Sequence, residues 1–151
     1  LHEHLFEYKT HMMQNYGAGV QACYRGPRLY DTPETQAAVT EVIQWYKKYR
    51  DILNSDMIHL RRPDARDWDG FIHVNPHKKE KGLAMFFNPT HQEITRTIHI
   101  PLYYTGLTQT ARIREKEQKP VTYKLNRDYT VELTVKIPAN GYTWYVVEAA
   151  D

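Results

Sequence analysis

The longest regular pattern in the chain is helical. Over residues 32–54, Val39, Val42, Ile43, Tyr46, Arg50 and Leu53 recur at three- and four-residue spacing, and Trp45, Tyr49 and Ile52 widen the same face. That period predicts an amphipathic helix whose broad apolar stripe needs cover on more than one side. Its start is marked by Thr32 as a side-chain cap, Pro33 at the first helical position and Glu34 near the positive helix end. Ahead of it, Leu5, Phe6, Tyr8, Met12 and Met13 predict a short amphipathic helix within residues 1–15, with Gly17 placed to end it. Over residues 19–26, Val20, Ala22 and Tyr24 alternate with Gln21, Cys23 and Arg25 between glycines, which reads as a strand.

From residue 57 the period falls to two. Strands are predicted over 57–61, 70–74, 83–87, 93–100, 111–115, 121–125, 129–137 and 143–148. Tyr129, Val131, Leu133, Val135 and Ile137 alternate without a break, and Ile94, Ile98 and Ile100 share one parity, as a strand with one buried face requires. Leu83 to Phe87 is apolar on both parities and predicts a central strand covered on both sides. Asn75 with Pro76, Asn88 with Pro89, Asn126 to Asp128, and Asn140 with Gly141 supply turns at the spacing of antiparallel sandwiches or barrels.

Helix, strand, loop and capped helix is the grammar of α/β folds, in which a parallel strand is followed by the helix that covers it. The expected fold is therefore α+β and mainly β, antiparallel strands of a sandwich or barrel preceded by the helix-strand-helix tail of an α/β fold. Residues 1–55 and 56–151 form the two expected domains. In α/β barrels the C-terminal end of a strand and the loop after it face the active site, which makes Tyr24, Arg25, Arg28 and Tyr30 candidates to touch substrate. The alternative for either arginine is a structural tie to a helix end or a carboxylate.

Composition narrows this picture. A chain of 151 residues has room for one substantial core, or for one domain and part of another. The net charge of +2, with both signs well mixed, offers no basic patch for a nucleic-acid partner. No run is apolar and long enough to cross a bilayer as a helix, so no membrane partner is expected. No signal peptide is expected within these residues, and a first residue Leu1 rather than Met leads us to expect an excised piece with any targeting segment upstream. The single cysteine, Cys23, excludes an internal disulfide and leaves the compartment open, a periplasmic or secreted bacterial protein included. Twelve Tyr and three Trp suit a sandwich core and a sugar-stacking surface equally.

Candidate chemistry is sparse. Asp64, Asp67 and Asp69 ahead of Gly70 are spaced like the opening of a calcium loop, but the closing Glu is missing, and Arg61, Arg62 and Arg66 favour ion pairs instead. A glycosidase could use paired carboxylates from the same link, although nothing in the sequence sets their separation. His4 and His11 with Glu7 between them match no zinc spacing, so neither a metal nor a cofactor is expected. Tyr103 with Tyr104 and Trp144 with Tyr145 could stack on sugars or seal a core.

Five passages carry a family likeness: YGAGVQACYRGPRLYD (16–31), WYKKYRDILNSDMIHLRR (45–62), KGLAMFFNP (81–89), IPLYYTGL (100–107) and IPANGYTWYVVE (137–148). Together they resemble the C-terminal part of bacterial glycoside hydrolases of the α-galactosidase, melibiase-like type. The resemblance implies a catalytic (β/α)₈ barrel ending in residues 1–54, an antiparallel sandwich after it, a carbohydrate substrate, and the rest of the barrel as packing partner. It also implies that the catalytic carboxylates lie on earlier barrel strands, so no catalytic residue is assigned, and that the segment alone is inactive. Two other readings stand beside it: a non-catalytic carbohydrate-binding sandwich using Tyr103, Tyr104 or Trp144, and a purely structural interaction domain.

Overall fold

The computed structural model describes residues 1–20 and 28–150, in two compact units, Leu1–Asn54 and Ser55–Asp151. Most of the strand predicted over 19–26 lies outside the described residues, and with it Cys23, Tyr24 and Arg25.

The first unit contains a 3-10 turn, His2–His4, and two helices, α1 (Leu5–Gly17) and α2 (Pro33–Leu53). The helix α1 buries Met12 and Met13, whereas Phe6, expected on the same stripe, is exposed. Its end is set by Gly19 and not by Gly17, which is still helical. The Gly19 N–H donates to the Tyr16 carbonyl and the Val20 N–H to the Asn15 carbonyl, each at 3.0 Å, the paired bonds of a Schellman ending. That ending needs a left-handed residue, and Gly19 supplies it at φ +72°.

Thr32 caps α2 as predicted. Its hydroxyl accepts from the Thr35 N–H at 3.3 Å, while the Thr35 hydroxyl accepts from the Thr32 N–H at 2.9 Å, a reciprocal capping box ahead of Pro33. The buried face of α2 runs through Thr35, Ala38, Val39, Val42, Tyr49, Ile52 and Leu53. Arg50, which the spacing assigns to that face, is exposed in the last turn, where a cation complements the negative helix end. The two helices meet through the rings of Tyr16 and Tyr46, 5.2 Å apart, and the Lys9–Glu41 ion pair at 2.9 Å.

The second unit has eight strands: β1 (Asp56–Arg61), β2 (Asp69–Val74), β3 (Gly82–Phe87), β4 (Ile94–Pro101), β5 (Thr110–Glu115), β6 (Val121–Lys124), β7 (Thr130–Ile137) and β8 (Tyr142–Glu148). All neighbouring pairs are antiparallel. Six strands form one sheet in the order β1-β2-β3-β8-β5-β6, and β4 pairs with β7 in a second. Ile72, Ala84, Phe86, Ile113, Tyr145 and Val147 of the large sheet share one core with Ile98, Ile100, Val131, Leu133, Val135 and Ile137 of the small one. Two sheets closed over alternating apolar residues make a β-sandwich. The chain is thus α+β and mainly β, an antiparallel sandwich preceded by a helical segment.

Every residue of β3 is buried, as its two-sided apolar pattern requires. Leu83, Met85 and Phe87 continue a second buried face of the large sheet, with Phe71 and His73 of β2 and Trp144 and Val146 of β8. Gly70 permits the close approach of β2 to β3, since a Cβ there would lie 2.5 Å from the Met85 carbonyl oxygen. The turn after β3 is tied down by Asn88, whose amide donates to the carbonyls of Gln92 at 2.7 Å and Ile137 at 3.2 Å while its oxygen accepts from Thr90. No helix among the described residues is long and apolar enough to cross a membrane.

Candidate functional site

The loop leading into α2 lines an open recess of about 580 Å³ formed by residues 28–33 and Gln36. Two of the predicted substrate-facing residues, Arg28 and Tyr30, are on its wall, while Tyr24 and Arg25 lie outside the described residues. Arg28 is exposed and makes no hydrogen bond or ion pair among the described residues, so the structural tie considered for it is not observed. Tyr30 keeps 41% of its surface exposed beside it. A guanidinium offers five donors and a tyrosine both a ring face and a hydroxyl, a combination suited to a hydroxyl-rich ligand.

The loop holds its place through residues that spacing alone does not single out. Tyr8 of α1 donates its hydroxyl to the Leu29 carbonyl at 2.9 Å, and burial, with a lesser contribution from Tyr16, pushes that hydroxyl's pKa up. Asp31 accepts from the His2 backbone N–H at 3.3 Å, meets the His2 ring Nδ1 at 3.0 Å, and accepts from the Thr35 hydroxyl at 3.0 Å. The His2 hydrogen bond is the main reason its carboxyl is held well below the usual carboxylate range. A carboxylate so engaged stays ionised and cannot donate a proton to a leaving group. The available signal for Asp31 is its position one residue ahead of the helix cap.

Arg61 and Asp64 form a two-pronged pair at 2.8 and 3.2 Å, Arg61 also donates to the Trp68 carbonyl at 2.6 Å, and Arg96 pairs with Asp67 at 3.2 Å. The acidic link between β1 and β2 is therefore bound up in ion pairs. His4 lies 4.0 Å from Glu7 at the surface, and among the described residues no group of three or more His, Cys, Asp or Glu could hold a metal ion. Tyr103 and Tyr104 are 61% and 64% exposed, but Trp144 is only 6% exposed. Trp144 is thereby removed as a sugar-stacking residue: its strand is apolar on both parities, and the parity that places Tyr145 in the sandwich core puts Trp144 on the second buried face.

No protein-family model matches the sequence, and no curated protein matches it. Solved structures do share its fold. The α-galactosidase I of Mortierella vinacea aligns with a TM-score of 0.61 at 14% identity, covering 95% of this chain and 35% of its own. The GH27 β-L-arabinopyranosidase of Geobacillus stearothermophilus gives 0.62 at 12%, covering 97% and 31%. The α-amylase of Geobacillus thermoleovorans, solved with acarbose, gives 0.62 at 13%, covering 97% and 34%. The chain thus spans about a third of each of these proteins. At such identities the likeness establishes the fold alone: over nearly its whole length, this chain has the fold found in glycoside hydrolases of the α-galactosidase type and in an α-amylase.

Proposed function

We propose that this chain is the C-terminal portion of a glycoside hydrolase, in which residues 1–55 complete a catalytic (β/α)₈ barrel and residues 56–151 form a sandwich that buttresses it. The observation that carries the proposal is the fold shared over 95% or more of this chain with glycoside hydrolases about three times its length. The recess before α2 supports it, because the loop after a barrel strand is where substrate is met. Arg28 and Tyr30, with Tyr24 and Arg25 upstream, line the sugar site, and the fragment supplies no acid-base pair. Glycoside hydrolysis needs two carboxyl groups set about 5–10 Å apart across the scissile bond. Asp31, the carboxylate of the recess, is committed to His2 and Thr35.

Two proteins test this. The 151-residue chain alone is expected to release no aryl alcohol from aryl α- or β-glycosides, and turnover by it would overturn the proposal. The longer parent is expected to show such turnover. There, Arg25→Ala and Arg28→Ala should each raise KM, and for Arg28, an exposed residue, the melting temperature should stay within a degree or so. A parent inert on every aryl glycoside would also sink the reading.

A further inference from the structure

The recess is not the only surface on which this chain shows chemistry suited to sugars. The turn after β4 displays two adjacent tyrosines, Tyr103 and Tyr104, at 61% and 64% exposure. Their rings stand perpendicular with centroids 5.1 Å apart, and Tyr129, just before β7, sets its ring 5.4 Å from Tyr103 at 75°. Edge-to-face packing fixes each ring by its neighbour.

The turn beneath them is rigid. Leu102 and Thr105 are fully buried, the Thr105 hydroxyl donates to the Leu102 carbonyl at 2.5 Å, and Gly106 closes the turn in the left-handed region at φ +78°. The Leu102 N–H donates to the Tyr129 carbonyl at 2.9 Å, which joins the two ring-bearing segments. Tyr129 itself stands at φ +63°, where glycine or asparagine would be at ease and an aromatic residue is strained. The turn enforces it: the Tyr129 N–H donates to the Asn126 carbonyl and the Asn126 N–H to the Thr130 carbonyl, each at 2.9 Å.

We infer that Tyr103, Tyr104 and Tyr129 form a docking site on the sandwich for a pyranose unit of a neutral oligosaccharide. Size and charge select that occupant. Two exposed rings and part of a third offer roughly 300 Å², well short of the ~800 Å² that each partner contributes to a stable protein interface. An aromatic face of this extent matches the C–H face of one sugar ring. Beside Tyr129 in the chain, Arg127 and Asp128 balance in charge, as suits a neutral ligand, and Asp128 accepts from Thr130 through one carboxylate oxygen, with its other oxygen an acceptor for a sugar hydroxyl. This site belongs to the sandwich unit and stands whether or not the Arg28–Tyr30 recess binds substrate.

The test is a titration of the full 151-residue chain with raffinose, maltotetraose and xylotetraose, followed by amide NMR shifts. At least one sugar is expected to produce saturable shifts at residues 103–106 and 128–130 at millimolar concentration. Tyr104→Ala should weaken that binding by about tenfold or more, Tyr104→Phe should retain most of it, and Tyr30→Ala should leave it unchanged. Unchanged dispersion in the rest of the spectrum verifies that Tyr104→Ala is folded. Silence at these residues with all three sugars, or equal binding by Tyr104→Ala, overturns the inference. Shifts there that follow protein concentration instead of sugar would mean that the rings meet a second copy of the chain, and would overturn it too. Shifts confined to residues 28–31 would sustain the recess reading while defeating this one.

Discussion

Inside the sandwich one hydroxyl has been left without a partner. Thr143 is 3% exposed, its Oγ1 meets no donor or acceptor among the described residues, and it shares its parity on β8 with the core residues Tyr145 and Val147. A buried hydroxyl without a partner carries its full desolvation cost, so Thr143→Val, which keeps the shape, is expected to stabilise the chain by about 1 kcal/mol, read as a rise in melting temperature. Asn88 is the opposite case, since all its amide capacity that reaches the interior is used. Two acids of the β1–β2 link titrate in opposite directions. The hydrogen-bonded pair with Arg61 lowers the Asp64 carboxyl far below its ordinary 3.8. Its contribution to stability is complete above that ordinary value and is lost as pH falls below it. Burial instead raises the Asp69 carboxyl, partly offset by Arg61, so Asp69 costs stability when ionised and the cost eases as pH falls through its raised value. Thermal unfolding from pH 7 to pH 2 should therefore show Asp64→Asn lowering the melting temperature at neutral pH and shrinking the acid loss, and Asp69→Asn raising it at neutral pH.

At the level of elements, the helix α2 was legible because period and capping agree: Thr32 and Pro33 mark its start, and Val39, Val42, Tyr49, Ile52 and Leu53 are its buried face. The end of α1 was less so, because two glycines stand close together and only the backbone angle tells them apart. Gly19 carries the positive φ, and a Cβ there would lie 2.3 Å from the Leu53 carbonyl oxygen. Gly19→Ala is expected to destabilise the chain by about 1–3 kcal/mol, read as a fall in melting temperature. The strands were legible in number and position from alternation, yet their distribution into six and two was not. Pairing such as β3 with β8 joins segments far apart in the chain, and alternation identifies a face without naming its partner. The same gap hid Trp144, since a strand apolar on both parities does not declare which side meets solvent. In the recess, Arg28 and Tyr30 stand on the wall. Asp31, His2 and Tyr8, which hold the loop, were not legible, because their partners come from different parts of the chain.

For the molecule as a whole, the large sheet has two buried faces where a free-standing sandwich needs only one. Phe71, His73, Leu83, Met85, Phe87, Trp144 and Val146 make up the second. The same architecture occurs in α-galactosidase and α-amylase structures, so the scaffold by itself does not fix a substrate. The small sheet has a different consequence. With only two strands, β4 and β7 each turn every second peptide N–H away from the partner and toward no other strand. Deuterium from heavy water should therefore enter these strands in an every-other-residue rhythm within the time that the centre of β3, bonded on both flanks, takes up almost none.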